Sequence, residues 1–373
     1  MDNIYEFLII GGGVTGSSLA YGLSKNSDAK IAIVDAYDGT LRASVGNFGL
    51  TWMQSKGYNQ PFYAQLSEKV SYDWQLFRDE IESKSKIDLE YIKSGGLAFC
   101  ENENEFRELE QRITNINSYY KNKGSKTVML DRIELKKIYP HVGDEIVGAS
   151  YNKQDGYLNP LHLLKAQLLL AQKQKVQSIT NFKTIKIEKS ASIYTITSED
   201  GRVLKTRQLV LAAGLANMPL AKHLGIHVPL QPQKGHILVA QKMPQLDLIP
   251  SFNVRQTKDG TLLIGYSNED MGYDLNIDEV KVGHILQKAI KVLPQLKNVN
   301  LIRSWAALRI IPEDGKPIYE SIDGSLHIIS THSAITLAPL HANEVSQSIL
   351  NGKMPDNLKD FSLERFSKGK AHA

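Results

Sequence analysis

Three glycines near the amino terminus constrain the fold of this chain more than any other feature. They form a G-x-G-x-x-G pattern made of Gly11, Gly13 and Gly16. The pattern follows an apolar run at 7–10 and opens a stretch with helical spacing over 14–23, and a second apolar run at 31–34 ends at Asp35. A buried strand, a helix and a second strand in this order, with glycines at the first turn and an acid after the second strand, are typical of dinucleotide-binding units. The sequence therefore predicts an α/β protein with a Rossmann-like domain.

Each residue type in this unit suits a dinucleotide. The first glycine allows a tight turn, the second lets the backbone approach phosphate oxygens, and the third allows the helix to pack closely on the strand. Unpaired N–H groups at the helix start favour phosphates, and Asp35 can accept hydrogen bonds from ribose hydroxyls. A glycine-rich turn in an ordinary α/β domain is the alternative, and the flanking strands and the acid argue against it. We expect cofactor contacts from Gly11, Gly13, Val14, Thr15, Gly16, Asp35 and Ala36.

Length and composition set further limits. A chain of 373 residues with 42% hydrophobic residues favours two domains with substantial cores. The net charge of +4 comes from lysines interleaved with acids, so we expect no nucleic-acid partner. The single cysteine, Cys100, excludes an internal disulfide and fits a reducing compartment. No run approaches about 18 apolar residues and the first residues lack a basic segment, so we expect neither a membrane span nor a signal peptide and predict a cytoplasmic protein.

The remaining pattern predicts a discontinuous organisation. We predict a long functional loop at 40–60, a helix that Asn159 caps and Pro160 opens, and a hairpin turn at Asp200-Gly201. Further helices are predicted over 60–83, 104–121, 131–138, 277–293 and 333–350, and strands over 97–99, 148–151, 185–198, 208–214, 301–308 and 326–330, with several more in 225–270. We assign 1–85, 145–220 and 300–373 to the nucleotide-binding domain, and 86–144 and 221–299 to a strand-rich α+β substrate domain.

Three features favour FAD over NAD as the dinucleotide. The chain has no second G-x-G-x-x-G pattern that would serve a separate nicotinamide site. A loop of small residues at 42–50 suits a pyrophosphate and a flavin, and the segment 331–339 returns the chain to the first domain. An NAD-dependent dehydrogenase is the alternative, which an absorption spectrum of the purified protein would test.

Motifs along nearly the whole chain can be considered together. They are the glycine pattern, the loop 43–50, and the segments 155–160, 210–214, 234–236, 258–265 and 305–317 through Pro339. In these motifs the chain resembles the D-amino-acid oxidase superfamily of flavoproteins, in the branch of glycine oxidase, sarcosine oxidase and D-amino-acid dehydrogenases. Within that branch, residues 47–50, 308–309 and 314–319 look most like the flavin subunits of D-hydroxyproline and related imino-acid dehydrogenases.

The resemblance implies a substrate site. In such enzymes the flavin accepts hydride at N5 from the carbon that bears the amine nitrogen. In the family the arginine that matches Arg309 holds the substrate carboxylate, a task that suits a bidentate guanidinium. From the residues alone, an ion pair of Arg309 with Glu313 or Asp314 is equally open. Weaker candidates for the substrate pocket are Asn47, Tyr266, His236 and Arg255.

The resemblance also places the start of the last predicted helix beside the flavin. Backbone N–H groups over 333–336 would then stabilise an anionic reduced flavin. His332 precedes this helix and either faces the flavin, as a catalytic residue, or forms part of a turn. Thr331 and Ala334 replace glycines that the family often has here.

Further FAD contacts follow from the same resemblance. They are Arg42, Ala43, Ser44, Asn47, Phe48, Gly49, Leu50, Val176, Ala213, Gly214, Arg309, Ser333, Ala334, Ile335 and Thr336. Cys100 lies far from the carboxyl-terminal segment where the sarcosine-oxidase branch attaches its flavin, so we expect non-covalent FAD. No His or Cys cluster has metal-ligand spacing, so we expect no metal.

Together these features predict FAD-dependent oxidation of a D-amino acid or a cyclic imino acid to the imine, with D-hydroxyproline, D-proline, glycine or sarcosine as substrate types. The alternative is the flavin subunit of a multi-subunit electron-transfer dehydrogenase that has little activity alone. The expected acceptor is oxygen, a quinone or a partner electron carrier, and either a homo- or a hetero-oligomer fits. Such a subunit could also lie peripherally at the inner membrane.

Overall fold

The secondary structure follows the predicted element order closely. The computed structural model describes residues 4–37 and 42–368; the predicted domain ends 1–3 and 369–373 and the loop positions 40 and 41 lie outside them. The strands are β1 Ile4–Ile10, β2 Ile31–Val34, β3 Leu50–Thr51, β4 Gly96–Cys100, β5 Val128–Asp131, β6 Gly148–Asn152, β7 Gly156–Tyr157, β8 Gln177–Ile179, β9 Thr184–Ser190, β10 Ile193–Ser198, β11 Val203–Leu211, β12 Leu230–Lys242, β13 Val254–Gln256, β14 Thr261–Gly265, β15 Leu301–Pro312, β16 Ile318–Ile322 and β17 Leu326–Ser330.

The helices include one long example and several short ones. The α-helices are α1 Val14–Lys25, α2 Pro61–Ser85, α3 Glu103–Tyr119, α4 Arg132–Ile138, α5 Pro160–Lys173, α6 Asn217–Lys222, α7 Glu279–Val292, α8 Ala338–Leu340, α9 Ser346–Leu350 and α10 Glu364–Lys368. A π-helical turn, His341–Val345, joins α8 to α9, and short 3₁₀ turns cover Lys123–Ser125, Gly214–Ala216, Pro294–Asn298 and Asp356–Phe361. No helix among the described residues is long and apolar enough to cross a membrane.

The first strand of the chain lies inside an eight-stranded sheet of order β16-β17-β11-β1-β2-β8, which β10 and β9 extend from β11. The neighbours β17, β11, β1, β2 and β8 pair in parallel. Both faces are covered, as buried parallel strands require: α1, α5 and the last helix pack on one face, and α6 packs on the other. The carboxyl ends of these strands share one edge, which is where α/β folds bind ligands.

A second unit is built from antiparallel strands. Four strands form a sheet of order β13-β14-β12-β15, and three more form the sheet β4-β6-β5. Side chains of α4 and α7 pack on these sheets in a core separate from the two that flank the large sheet. Because β6 and β15 belong to these sheets, their segments group with the substrate unit rather than with the nucleotide-binding segments in which we expected them. The domain boundaries stay a prediction.

Most local predictions agree with the structure. The side chain of Asn159 caps α5 by accepting hydrogen bonds from the N–H groups of Leu161 and His162. The hairpin turn at Asp200-Gly201 joins β10 to β11. One predicted strand, 185–198, is instead two strands joined by a turn at Ala191, which has a positive φ of 51°.

The last long helix begins later than predicted. Residues 332–337 form turns, and the helix starts at Ala338 rather than at Ser333. Pro339 lies in its first turn, where a missing N–H costs nothing. A helix that started at Ser333 would place Pro339 in its interior, where the ring clashes with the preceding turn. The backbone beside the predicted flavin therefore belongs to a turn.

Candidate cofactor and substrate site

The glycine turn at the carboxyl end of β1 leaves no room for side chains. Gly11 has a φ of 112°, and a Cβ on it would lie 2.4 Å from the carbonyl oxygen of Ala212. A Cβ on Gly16 would lie 1.8 Å from the carbonyl oxygen of Gly11. These contacts match the predicted roles, a tight turn and close packing of α1 on β1.

Asp35 is fixed at the same edge of the sheet. Its carboxylate accepts hydrogen bonds from the N–H of Gly12 at 2.7 Å, from the N–H of Tyr37 at 2.8 Å and from Nη1 of Arg42 at 2.9 Å. Ala36 follows it, half-buried. The predicted residues Asp35, Ala36 and Arg42 thus lie together beside the glycine turn.

The loop after Arg42 folds back over the start of α1. The Ser44 hydroxyl accepts a hydrogen bond from the N–H of Val14 at 2.9 Å, and it lies 2.7 Å from the position of a Cβ on Gly13. Asn47 braces this loop by accepting from the N–H of Gly49 at 2.7 Å and by donating to the carbonyl of Ser44. Asn47 is therefore engaged within the loop itself rather than pointing its amide freely at a substrate.

The carboxyl-terminal turn meets the loop from the other side. The Thr336 hydroxyl accepts from the N–H of Trp52 at 3.1 Å, and the Thr336 carbonyl accepts from Nε1 of Trp74 at 2.8 Å. Within the described part of the chain, the N–H groups of Ala334, Ile335 and Thr336 have no acceptor. Three adjacent unpaired donors can bind a negatively charged group, so the turn offers what the predicted helix start was meant to supply.

The predicted FAD contacts after β11 and before β8 lie at opposite edges of the sheet. Ala213 and Gly214 follow β11 at the carboxyl edge, beside Gly11. Val176 precedes β8, level with Ile31 at the opposite edge, and its N–H is bonded to the carbonyl of Ala171. The structure does not bring Val176 to the dinucleotide residues, because parallel pairing places it at the amino end of the strand.

Phe182, which sequence reasoning did not single out, lies beside Asp35 instead. Its N–H donates to the carbonyl of Asp35 at 2.9 Å, and its side chain is buried. It was missed because the strand β8 is only three residues long, so its end was not visible in the apolar pattern.

Arg309 lies on β15, and its guanidinium is held by backbone. Its Nη1 donates to the carbonyl of Ser267 at 2.8 Å and to the carbonyl of Lys234 at 3.3 Å, and the ring of Tyr266 lies 5.7 Å away. The alternative pairing with Asp314 is not found, because Arg365 binds that carboxylate at 2.7 and 3.0 Å. Among the described residues no carboxylate lies within 4.0 Å of Arg309, so its charge is available to a ligand.

Arg255 has a structural position instead. It is buried, donates through Nε to the carbonyl of Phe48 at 2.6 Å, and lies 4.8 Å from the ring of Tyr157. Burial lowers its pKa to about 10. The geometry therefore does not support the assignment of Arg255 to the substrate pocket; it anchors the loop that carries Phe48.

Aromatic side chains form one wall near Arg309. Trp52 and Phe252 have ring centroids 4.6 Å apart, and Phe252 and Tyr266 are 5.2 Å apart. Tyr266, a predicted pocket residue, is partly exposed beside the guanidinium of Arg309. The wall is therefore apolar next to a cation, a combination that suits a small organic carboxylate.

His332 and a residue that sequence reasoning missed, Lys56, lie side by side. Nζ of Lys56 is 3.4 Å from Nδ1 of His332, and Nδ1 is also 3.3 Å from the Ser333 hydroxyl. The surrounding protein lowers the pKa of His332 well below its ordinary value, first through desolvation and then through the charges of Lys56 and Arg309. His332 is therefore neutral at pH 7.

Asp155 is a second missed residue. It is fully buried and accepts from the N–H of Met53 at 2.6 Å and from Nε2 of Gln54 at 2.7 Å. Burial raises its pKa to about 7, against the effect of these hydrogen bonds. Its sequence motif indicated a turn but gave no signal that its carboxylate, through Met53 and Gln54, fixes the loop that carries Lys56.

The residues present fit a dinucleotide. The turn from Gly11 to Gly16 is a cradle that side chains would fill, Asp35 is fixed at its rim, and unpaired N–H groups of 334–336 lie on the carboxyl-terminal side. No cluster of three metal-binding side chains occurs among residues 4–37 and 42–368. A nucleotide cradle joined to an antiparallel sheet, with an arginine that no described carboxylate contacts, is the arrangement of a dinucleotide-dependent enzyme that binds an anionic substrate.

Comparison with known proteins gives the family. The chain belongs to the DAO family of FAD-dependent oxidoreductases, whose sequence pattern matches residues 6–348. It is 32% identical to a subunit of the opine oxidase of Agrobacterium tumefaciens, over 97% of each chain. It is 28% identical to the HcnC subunit of the hydrogen cyanide synthase of Pseudomonas protegens, over 86% of this chain and 85% of that one.

The fold is also found among solved structures. The crystal structure of glycine oxidase from Geobacillus kaustophilus superposes with a TM-score of 0.87 at 21% sequence identity, covering 96% of this chain and 98% of that one. The predicted resemblance to this superfamily and the predicted α/β class are thereby confirmed.

Proposed function

We propose that this chain is the FAD-bearing subunit of a multi-subunit oxidoreductase that oxidises a carboxylate-bearing amine. Two of the relatives are named as subunits of larger enzymes, which favours this alternative over a self-sufficient D-amino-acid enzyme. The observation that carries the chemistry is Arg309, a cation beside an aromatic wall with no carboxylate of the described chain within 4.0 Å.

The residues divide the work in a simple way. Arg309 fixes the carboxylate of the substrate, and the wall of Trp52, Phe252 and Tyr266 excludes water around the carbon to be oxidised. The glycine turn would hold FAD, whose flavin would supply the acceptor for the hydride that leaves the carbon next to the nitrogen. The unpaired N–H groups of 334–336 stabilise negative charge on the flavin side of the site. Neutral His332 lies beside this turn, with Nδ1 3.3 Å from the Ser333 hydroxyl, and its lowered pKa makes it a hydrogen-bond acceptor rather than a base.

We further propose that the substrate is a secondary amine of the opine type, an amino acid whose nitrogen carries a second carboxyalkyl group. The name of the opine oxidase relative supports this class. D-amino acids and cyclic imino acids, the substrates first expected, stay a second candidate, because they present the same carboxylate and C–N bond to Arg309. Because Cys100 is buried in β4, we propose that FAD is bound non-covalently. We also propose a cytoplasmic location and an electron carrier or quinone as the acceptor.

Anaerobic flavin bleaching tests the proposal. The FAD-loaded chain is mixed with N-(1-carboxyethyl) amino acids, D- and L-amino acids and D-proline, and the flavin absorbance is followed. We expect rapid bleaching by the carboxyethyl amines, with turnover in air much slower than bleaching because the isolated subunit lacks its acceptor. Failure of every amine to bleach the flavin would rule out amine oxidation. Equal rates of bleaching and aerobic turnover would rule out the subunit role but would leave amine oxidation standing.

A further inference from the structure

Lys56 is a charged side chain that the proposed chemistry does not yet use. Its backbone N–H closes a turn onto the carbonyl of Met53 at 2.9 Å, and the same turn is fixed by Asp155, which accepts from the N–H of Met53 at 2.6 Å. The Tyr120 hydroxyl also donates to the Met53 carbonyl. The position of Lys56 is thus set by buried contacts rather than left to a free loop.

The ammonium group of Lys56 has no anionic partner in contact. It lies 3.4 Å from Nδ1 of neutral His332, and no carboxylate of the described residues lies within 4.0 Å of Nζ. Asp155 is near enough for their charges to interact, but its oxygens already bind Met53 and Gln54. A half-buried cation without a contacting anion costs free energy, which a ligand carboxylate would offset.

The loop that carries Lys56 and the guanidinium of Arg309 belong to one wall, because Trp52 contacts Phe252, Phe252 contacts Tyr266, and the Tyr266 ring lies 5.7 Å from Arg309. Desolvation is the main cause that lowers the pKa of Lys56 to about 8, and the charge of Arg309 adds to this effect. Both charges also lower the pKa of His332. Two cations at one wall favour a ligand with two negative groups over a ligand with one.

We propose that Lys56 is a second carboxylate-binding residue and that, together with Arg309, it selects dicarboxylic secondary amines over monocarboxylic ones. This inference deepens the proposed function and rests on it for the position of the amine. Arg309 binds the carboxylate of the amino-acid part, and Lys56, from the loop that carries Trp52, binds the carboxylate of the second substituent. The hydrogen-bond acceptor Nδ1 of His332 orients the ammonium group of Lys56.

Two unreactive ligands isolate this binding step from catalysis. Oxydiacetate carries two carboxylates and methoxyacetate carries one, and neither has an amine to oxidise. Their dissociation constants for the FAD-loaded chain are measured at pH 7 from the change in flavin absorbance or by calorimetry. We expect the wild-type chain to bind oxydiacetate at least 10-fold more tightly than methoxyacetate, because only oxydiacetate can make a second charge-assisted contact.

Substitutions show which residue causes the preference for oxydiacetate. Lys56→Met should bring the two dissociation constants close together by weakening oxydiacetate alone, and Lys56→Arg should keep the preference. Lys93→Met is the matched control, because Lys93 also feels Asp155 but donates to the carbonyl of Ser71 outside the site. Arg309→Met should weaken both ligands. In the wild type, oxydiacetate should also bind more weakly as the pH rises past about 8, when Lys56 loses its proton.

The results separate this inference from the proposed function. An unchanged preference in Lys56→Met would overturn the role of Lys56. Equal weakening of both ligands together with weaker FAD binding would overturn it as well, because Lys56 would then serve the cofactor. A preference that depends on Lys56 in a chain whose flavin no amine can bleach would leave the anion site standing and reject amine oxidation.

Discussion

At the scale of single residues, two carboxylates of this chain are affected by the protein in opposite directions. Burial raises the pKa of Asp155 to about 7. The pKa of Asp314 is lowered overall: burial acts against this, but the hydrogen bonds and charge of Arg365 outweigh it. Asp155 therefore carries a proton in the folded state where the unfolded chain has none, and Asp314 stays ionised where the unfolded chain begins to take up a proton.

The stability of two variants should therefore depend on pH with opposite signs. Because its folded-state pKa is raised, Asp155 contributes its full stabilisation below about pH 4. This contribution decreases as the pH rises and is lost once the pH has passed about 7. The destabilisation by Asp155→Asn should thus be larger at pH 5 than at pH 8. For Asp314→Asn the destabilisation should be present at neutral pH and shrink as the pH falls through the lowered pKa. Urea unfolding of both variants from about pH 2 to 8 checks this; parallel curves would contradict it.

At the scale of elements, the segment 266–278, here called the strap, lies along β12 beside the substrate site. His236 on β12 binds it: Nδ1 lies 2.9 Å from Oε1 of Glu269, and Nε2 accepts from the N–H of Asp278 at 3.1 Å. Because Nε2 accepts, Nδ1 carries the proton and the imidazole is neutral. The Ser267 hydroxyl joins this buried group, and its carbonyl in turn holds Arg309.

Substitutions that loosen the strap should therefore weaken substrate binding, although the substituted residues do not contact the substrate themselves. We expect Glu269→Gln to raise KM for a carboxylate-bearing amine several-fold, and His236→Leu to raise it between about 10- and 100-fold, with kcat and FAD content largely kept. His284→Gln, at an exposed position on α7, is the matched control. A loss of kcat at unchanged KM in the strap variants would show that these residues do not act through Arg309.

At the scale of the whole molecule, the cradle for FAD joins parts of the chain that are distant in sequence. The glycine turn follows β1, the loop 42–50 covers it, and the turn 332–337 follows β17. A ligand that contacts all three favours the folded state by mass action, by about 2.7 kcal/mol at a hundred times its dissociation constant.

Removal of FAD should accordingly lower Tm. A single methyl group added at Gly13 should reduce the rise in Tm that FAD causes. A Cβ on Gly13 meets only the Ser44 side chain, at 2.7 Å, so Gly13→Ala should fold normally. It should bind FAD at least 10-fold more weakly, because the methyl group stands where the backbone approaches phosphate. Gly283→Ala, a helical position with open space around it, is the control. An unchanged FAD-dependent rise in Tm for Gly13→Ala would contradict this placement.

Sequence reasoning succeeded where a structure depends on neighbours in the chain. The glycine turn, Asp35 and the Asn159–Pro160 helix start are local patterns, and all lie where they were predicted. Lys56 escaped notice because its environment is made by Asp155 and His332, which are far away in sequence. Arg255 looked like a pocket residue until the fold placed Phe48 and Tyr157 against it. Long-range contacts of this kind have no signature in a single sequence.

The place of β1 in its sheet has a consequence for how the protein is made. On one side β1 pairs with β11, which is translated about two hundred residues after it, and β17 is added beyond β11 more than one hundred residues later still. Its apolar edge stays unpaired throughout that interval, a situation that slows folding and invites aggregation. Residues through β17 must therefore be synthesised before this protein can acquire its cofactor, and fragments that end before β17 should depend on chaperones.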